Sequence, residues 1–245
     1  MIKAGPALQL EHVSAFLREG QSVDDVSLLV QHGELVAFVG SNSSGKGLAL
    51  RLAAGLEAPL EGTVRLLGVN PARVGEPAYL DLRRRVGFIF DQPALISNMS
   101  VFNNVALPLR YHTVLSESDI EAKVIAALRE WGVEGLRNLF PAQLMLGDAR
   151  LVAIARAQIL EPEILFLDDM LVGLDAAGLS KLRKFFENLR SKRGLTLVTS
   201  GGAPTKLFEL LDRVFFFRNG RLLAEGSPAE VRKTQEPGVL ELFSV

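Results

Sequence analysis

The apolar run Leu35-Val36-Ala37-Phe38-Val39 leads straight into Gly40-Ser41-Asn42-Ser43-Ser44-Gly45-Lys46. "GLALRLAAGL" follows, a stretch of good helix formers that ends near Gly55. A strand, a glycine-bounded loop and a helix in this order let backbone N–H groups wrap a phosphate, and the helix N-terminus adds its dipole. The spacing of Gly40, Gly45 and Lys46 is that of a phosphate-binding loop, in which the lysine reaches the β- and γ-phosphates. The next residue departs from that pattern. A serine or threonine hydroxyl there holds a magnesium ion, and this chain has Gly47.

Around this unit, strands and helices alternate. Residues 8 to 39 read as short strands, "LQLEHVSAF", "VSLLV" and "LVAFV", punctuated by Gly20 and "QHGE". "GTVRLLG" and "VGFIF" are two more. Between 94 and 160 helical spacing takes over: "SESDIEAKVIAALREWG" opens on a Ser116 or Ser118 cap, and "DARLVAIARAQIL" is a second helix. From 161 the alternation returns with "EILFLDD", the amphipathic "LSKLRKFFENLR", "LTLVTS" and "RVFFFRNGRLLAEG". The last predicts a hairpin turning at Asn219-Gly220. The alternation predicts an α/β core around a parallel sheet. The expected division is a nucleotide-binding core from 1–93 and 161–230, a helical lobe at 94–160, and a docking tail at 231–245.

Composition narrows the function classes. A net charge of −1 gives no field for broad nucleic-acid binding, so no nucleic-acid partner is expected. Arg83 to Arg85 form the one compact basic cluster, which reads as a solvated surface at a strand entrance. The chain has no cysteine, which excludes disulfides and thiolate metal sites. Its histidines, at 12, 32 and 112, lack metal-ligand spacing. No run has the length needed to cross a bilayer, and "MIKAGPALQLEH" lacks a signal-peptide core. The expectation is a soluble chain that meets a membrane only through a partner.

A second set of motifs lies downstream. "PEILFLDDM" is an apolar strand ending in Asp168, placed to meet the magnesium of a bound nucleotide; "PAQLMLGDARLVAIARAQILEP" precedes it and "GLDAAGLSKL" follows. With "AGLEAPLEGTVRLLG" after the loop, this succession resembles the nucleotide-binding subunit of ATP-binding-cassette (ABC) transporters over residues 8 to 230. The resemblance implies a P-loop NTPase core of ABC type with a parallel sheet, an N-terminal antiparallel β subdomain and an inserted helical subdomain. It implies ATP as ligand, membrane-embedded permease subunits as partners, and a place on the inner face of the cell membrane. It also implies two nucleotide-binding subunits clamping ATP, each site joining one subunit's phosphate loop to the other's Leu-Ser-Gly-Gly-Gln signature.

This chain departs from that family at the reactive positions. The loop motif Gly-x-Asn-Gly-Ser-Gly-Lys-Ser-Thr reads Gly40-Ser41-Asn42-Ser43-Ser44-Gly45-Lys46-Gly47-Leu48. Gly47 removes the magnesium ligand, Leu48 a second hydroxyl near the α-phosphate, and Ser43 replaces a glycine. Asp91 aligns with the glutamine that reaches the metal and senses the permease, with Gln92 one place late. The signature reads Leu144-Met145-Leu146-Gly147-Asp148, without its serine and first glycine. Asp169 stands for the catalytic glutamate and Ser200 for the switch histidine, while Phe16 is the candidate to stack on adenine. Asp168 and Asp91 remain as metal candidates within a magnesium site expected to be lost.

These changes together predict a degenerate subunit with hydrolysis near background, paired with a second, different ABC subunit. Two alternatives stand beside it. One is an active ATPase using Asp169 as base with Gln92 on the metal; the other is a soluble regulatory nucleotide-binding module. For Lys46, phosphate contact stands against a vestige, or a salt bridge to Asp168 across an empty pocket. "NMSVFNNVALPLRYH", Ala149-Arg150 and the "GVLELF" tail further resemble the ATPase of lipid transporters of the mammalian-cell-entry type. "NVALPL" also occurs in other ABC subunits, so the transported molecule stays open.

Overall fold

All five residues of β3 (Leu35–Val39) are buried, as a central strand covered on both faces requires. The strand lies within a six-stranded sheet of order β5 (Val86–Ile89), β6 (Ile164–Leu167), β7 (Thr196–Gly201), β3, β8 (Arg213–Arg218) and β9 (Arg221–Gly226). Neighbours from β5 to β8 pair in parallel, and β9 closes the edge antiparallel to β8. A separate antiparallel sheet has the order β2 (Ser22–Val30), β1 (Leu8–Phe16), β4 (Glu61–Leu66). The architecture is the ABC-type α/β cassette expected from the sequence. The computed structural model describes residues 5–17, 21–169, 173–192, 194–201, 206–234 and 239. Most of the expected docking tail, and Met170 of "LDDM", therefore lie outside the described residues.

The period-two alternation of the central strands divides the core in two. Leu35, Ala37 and Val39 of β3 join one cluster with Leu165, Leu167, Val214 and Phe216. Val36 and Phe38 join the other, with Phe166, Phe215 and Phe217. The Phe38 ring lies 5.6 Å from that of Phe215 and 5.2 Å from that of Phe217, an aromatic cluster under the loop that follows β3.

The helices are α1 (Lys46–Ala53), α2 (Glu76–Arg84), α3 (Val101–His112), α4 (Glu117–Glu130), α5 (Leu146–Gln158), α6 (Ala176–Lys192) and α7 (Pro228–Lys233). α1 packs with β4, β1 and β2 in the second cluster, while α3, α4 and α5 form the helical insertion between β5 and β6. Of the two serines offered as a cap, Ser116 caps α4, accepting from the Asp119 N–H at 3.2 Å. The β8–β9 hairpin turns at Asn219 and Gly220, both at positive φ, as its Asn-Gly requires.

The Arg83–Arg85 cluster is not simply solvated. Arg83 is partly buried, donates to the Ala54 carbonyl and stacks over the Tyr79 ring, and Arg85 pairs with Glu163 at 2.6 Å. Only Arg84 is exposed. Two of these three arginines tie α2 and its C-terminal end to the core, because the strand entrance they flank is itself half covered.

Candidate functional site

The loop after β3 is built from tight backbone approaches. A Cβ on Gly40 would lie 2.3 Å from the Phe217 carbonyl oxygen, and one on Gly45 would lie 2.3 Å from the Ser22 carbonyl oxygen. Gly45 sits at φ +90° as the N-cap of α1, a conformation that glycine alone adopts without strain. The β8–β9 turn braces the loop from outside, the Gly220 N–H donating to the Ser44 carbonyl at 2.9 Å. Ser41, Asn42 and Ser43 stay exposed, while Ser44, Gly45, Lys46 and Leu48 are buried. Phe16 pairs across the strands with Ser22, so the end of β1 lies beside Gly45, and its ring is 70% exposed and open to a flat ligand.

Lys46 is 6% exposed, and its ammonium donates to the Ser41 carbonyl at 3.0 Å. Among the described residues no ion pair links it to Asp168, which sets aside the direct salt bridge considered from the sequence. Burial holds the Lys46 ammonium below its ordinary pKa, and Asp169 and Asp168 counteract that effect through space.

Asp168 follows β6 and is 9% exposed. Ser200, near the end of β7, donates its hydroxyl to Asp168 Oδ1 at 2.6 Å and accepts from the Asp169 N–H at 3.1 Å. The residue at the expected switch position is thus turned inward to clamp both carboxylate residues. Burial raises the Asp168 pKa; the Ser200 hydrogen bond and the Arg51 charge oppose the shift, and Asp91 and Asp169 add to it. Asp169 itself sits at φ +43°, with its carbonyl accepting from Arg150 Nη1 at 3.2 Å. Asp91 and Gln92 are exposed, and Asp91 Oδ1 accepts from the Gln92 N–H at 2.7 Å.

Two cations in this cluster carried no site role in the sequence reading. Arg150 is 2% exposed, and burial lowers its pKa against the charges of Asp169 and Asp91. Arg51 donates through Nη2 to Gln21 Oε1 at 3.1 Å, and its charge reaches Asp168. The available signal was the i, i+4 spacing of Gly47 and Arg51, which places both on one face of α1.

The signature stretch opens α5. Met145 occupies its N-cap without a side-chain bond, since a thioether cannot accept from the first-turn N–H groups as serine does. Met145 is 76% exposed and Leu146 42%, whereas Leu144 packs into the core. Leu146 leans on Gly173: a Cβ there would meet Leu146 Cδ2 at 2.6 Å. Gly147 faces the Gly173 carbonyl, and Asp148 stands in the first turn of α5. Among the described residues no hydrogen bond joins this stretch to the phosphate loop. The structure gathers Lys46, Gly47, Asp168, Asp169, Ser200 and Asp91 together and leaves residues 144–148 apart.

The residues present do not fit a magnesium ion of the kind the phosphate loop would hold. Gly47 offers no oxygen where the loop's own side-chain ligand would stand, and Asp168 Oδ1 accepts from Ser200. Arg51 Nη1 lies 3.7 Å from where a Cβ on residue 47 would stand. Among the described residues no group of three or more His, Cys, Asp or Glu side chains is arranged to hold a metal.

Known proteins resemble the chain over most of its length. The family model described as ABC transporter matches residues 23–172. The intermembrane phospholipid transport system ATP-binding protein MlaF of Escherichia coli K12 is 32% identical over 220 residues, covering 90% of this chain and 82% of its own length. The sulfate/thiosulfate import ATP-binding protein CysA of Mesostigma viride is 31% identical over 98% of this chain, which spans 66% of that longer relative. Among solved structures, an ATP-binding cassette dimer in a post-hydrolysis state with ADP and Pi superposes with TM-score 0.83 at 25% identity, covering 90% of this chain and 98% of its own.

Proposed function

The chain belongs to the ABC transporter family of ATP-binding subunits, and on that premise we propose that it is a degenerate member: a cassette that pairs with a second, different nucleotide-binding subunit and supports a permease without efficient hydrolysis of its own. The observation that carries this reading is the metal-facing end of the site. There a missing hydroxyl at Gly47 and the inward clamp of Ser200 on Asp168 replace two groups that the chemistry needs. Asp169 adds to it, because its carboxylate is one methylene shorter than the glutamate it replaces.

Pairing extends the argument. One composite site would use this chain's own loop and carboxylates, and the other would use the partner's loop with Met145 and Leu146 in place of the signature serine and glycine. Both sites are compromised. Residues 1–93 and 161–230 act as the nucleotide core, 94–160 as the lobe facing the permease, and 231–245 as a docking tail. The described residues include no helix long and apolar enough to cross a membrane, so the permease supplies the attachment at the inner face. The likeness to MlaF favours lipid as the cargo of the whole assembly.

The test is phosphate release by the purified chain with magnesium and ATP. Losing one transition-state donor slows such chemistry on the order of a hundredfold, and several are altered here. The expected rate equals that of Lys46→Ala. Turnover that Lys46→Ala or Asp169→Asn abolishes would replace this reading with that of an active ATPase in which Asp169 is the base.

A further inference from the structure

We propose that the Arg51 guanidinium takes the place of the magnesium ion, so that this site holds the phosphates of ATP as the metal-free nucleotide. The inference rests on the reading of a phosphate site that does not hydrolyse. Its basis is the open side of Gly47. Helical side chains lean toward the N-terminus, so the head of residue 51 covers residue 47 one turn earlier. A Cβ on Gly47 would lie 3.7 Å from Arg51 Nη1 and 3.9 Å from Asp168 Oδ1, so the guanidinium and the carboxylate both stand within 4 Å of the point where the metal-binding side chain would begin. Gln21 Oε1 accepts from Nη2 at 3.1 Å, while Nη1 is the guanidinium nitrogen near that point.

Lys46, Arg51 and Arg150 interact through space with Asp168, Asp169 and Asp91, so three fixed cations already face three carboxylates. A divalent cation would add charge beside a guanidinium that cannot be deprotonated. Lys46 and Arg51, both on α1, are the two of these cations that the phosphates of ATP would meet. The planar fork of a guanidinium suits phosphate oxygens, and charge-assisted bonds of this kind are strong.

The experiment is calorimetric titration of the full chain with ATP, once in EDTA and once in excess magnesium. Wild type is expected to bind at least about tenfold more weakly in excess magnesium, where nearly all the ATP carries the metal, than in EDTA. Arg51→Gln should weaken binding in EDTA about tenfold or more, as loss of one charged hydrogen bond implies, and Arg51→Lys should recover part of it. Gly47→Ser, at a helical position with room for a Cβ, should gain magnesium dependence, binding about tenfold tighter with the metal than without. Circular dichroism of each variant separates lost binding from lost folding. Wild-type binding in magnesium as tight as in EDTA or tighter, Arg51→Gln that titrates like wild type, or no binding in EDTA would each overturn the inference. Any of these without phosphate release leaves the degenerate-subunit reading standing, whereas Lys46-dependent phosphate release overturns that reading whatever the titration gives.

Discussion

Gly45 and Gly47 are two residues apart and carry opposite constraints. Gly45 is held at φ +90° with a backbone oxygen 2.3 Å from any Cβ, whereas Gly47 is helical and its nearest neighbours stand 3.7 Å away. Gly45→Ala should therefore destabilise the chain by about 3 kcal/mol, while Gly47→Ser should stay within about 0.5 kcal/mol, both read from urea unfolding. Asp168 gives a second test. Its native pKa lies above the ordinary value of 3.8, so the folded state keeps the proton longer and stability is lost as pH rises from 3.8 through the native pKa. Asp168→Asn should then be more stable than wild type at neutral pH, with the difference closing as pH falls toward 3.8. At this scale the altered positions were legible in the sequence, because each changes a side chain with a known task. Arg51 and the Ser200 clamp were not, since they depend on which neighbour a side chain turns toward.

The elements whose residues state their own geometry were readable in advance: β3 by its apolar run, α4 by its cap, and the β8–β9 hairpin by Asn219-Gly220. Helix α3 was not, because Pro108 interrupts its pattern and removes an N–H from the ladder. It persists because Val101, Val105, Ala106 and Leu109 are buried in the insertion's core, and packing overrides the lost bond. Asn104 fixes its entrance. Fully buried, it accepts from the Ile96 N–H at 2.7 Å and donates to the carbonyls of Ile96, Met99 and Ser100 at 3.1 Å. Asn104→Ala leaves the Ile96 N–H and the Met99 carbonyl without this partner and should cost about 1 to 3 kcal/mol, with protease cleavage appearing first in the segment before α3. Limited proteolysis followed by mass mapping checks the site, and uniform loss of protection would count against the bracket.

At the scale of the molecule the scaffold is intact and the alterations fall on reactive positions. The sheets and the split core follow the family, so fold and family were legible from the order of motifs alone. How the site is charged was not, because Arg150 comes from a separate part of the chain, Lys46 and Arg51 leave different faces of α1, and the three converge only in three dimensions. The proposed function has a cassette with this site contribute to a transporter by shape and pairing more than by turnover. Phosphate release by the complex assembled with its partner subunits, comparing wild type with Lys46→Ala and Asp169→Asn in this chain alone, tests that claim most directly. Rates that agree within about twofold are the predicted result. A loss of about a hundredfold in either variant would contradict it and place a working catalytic site in this chain.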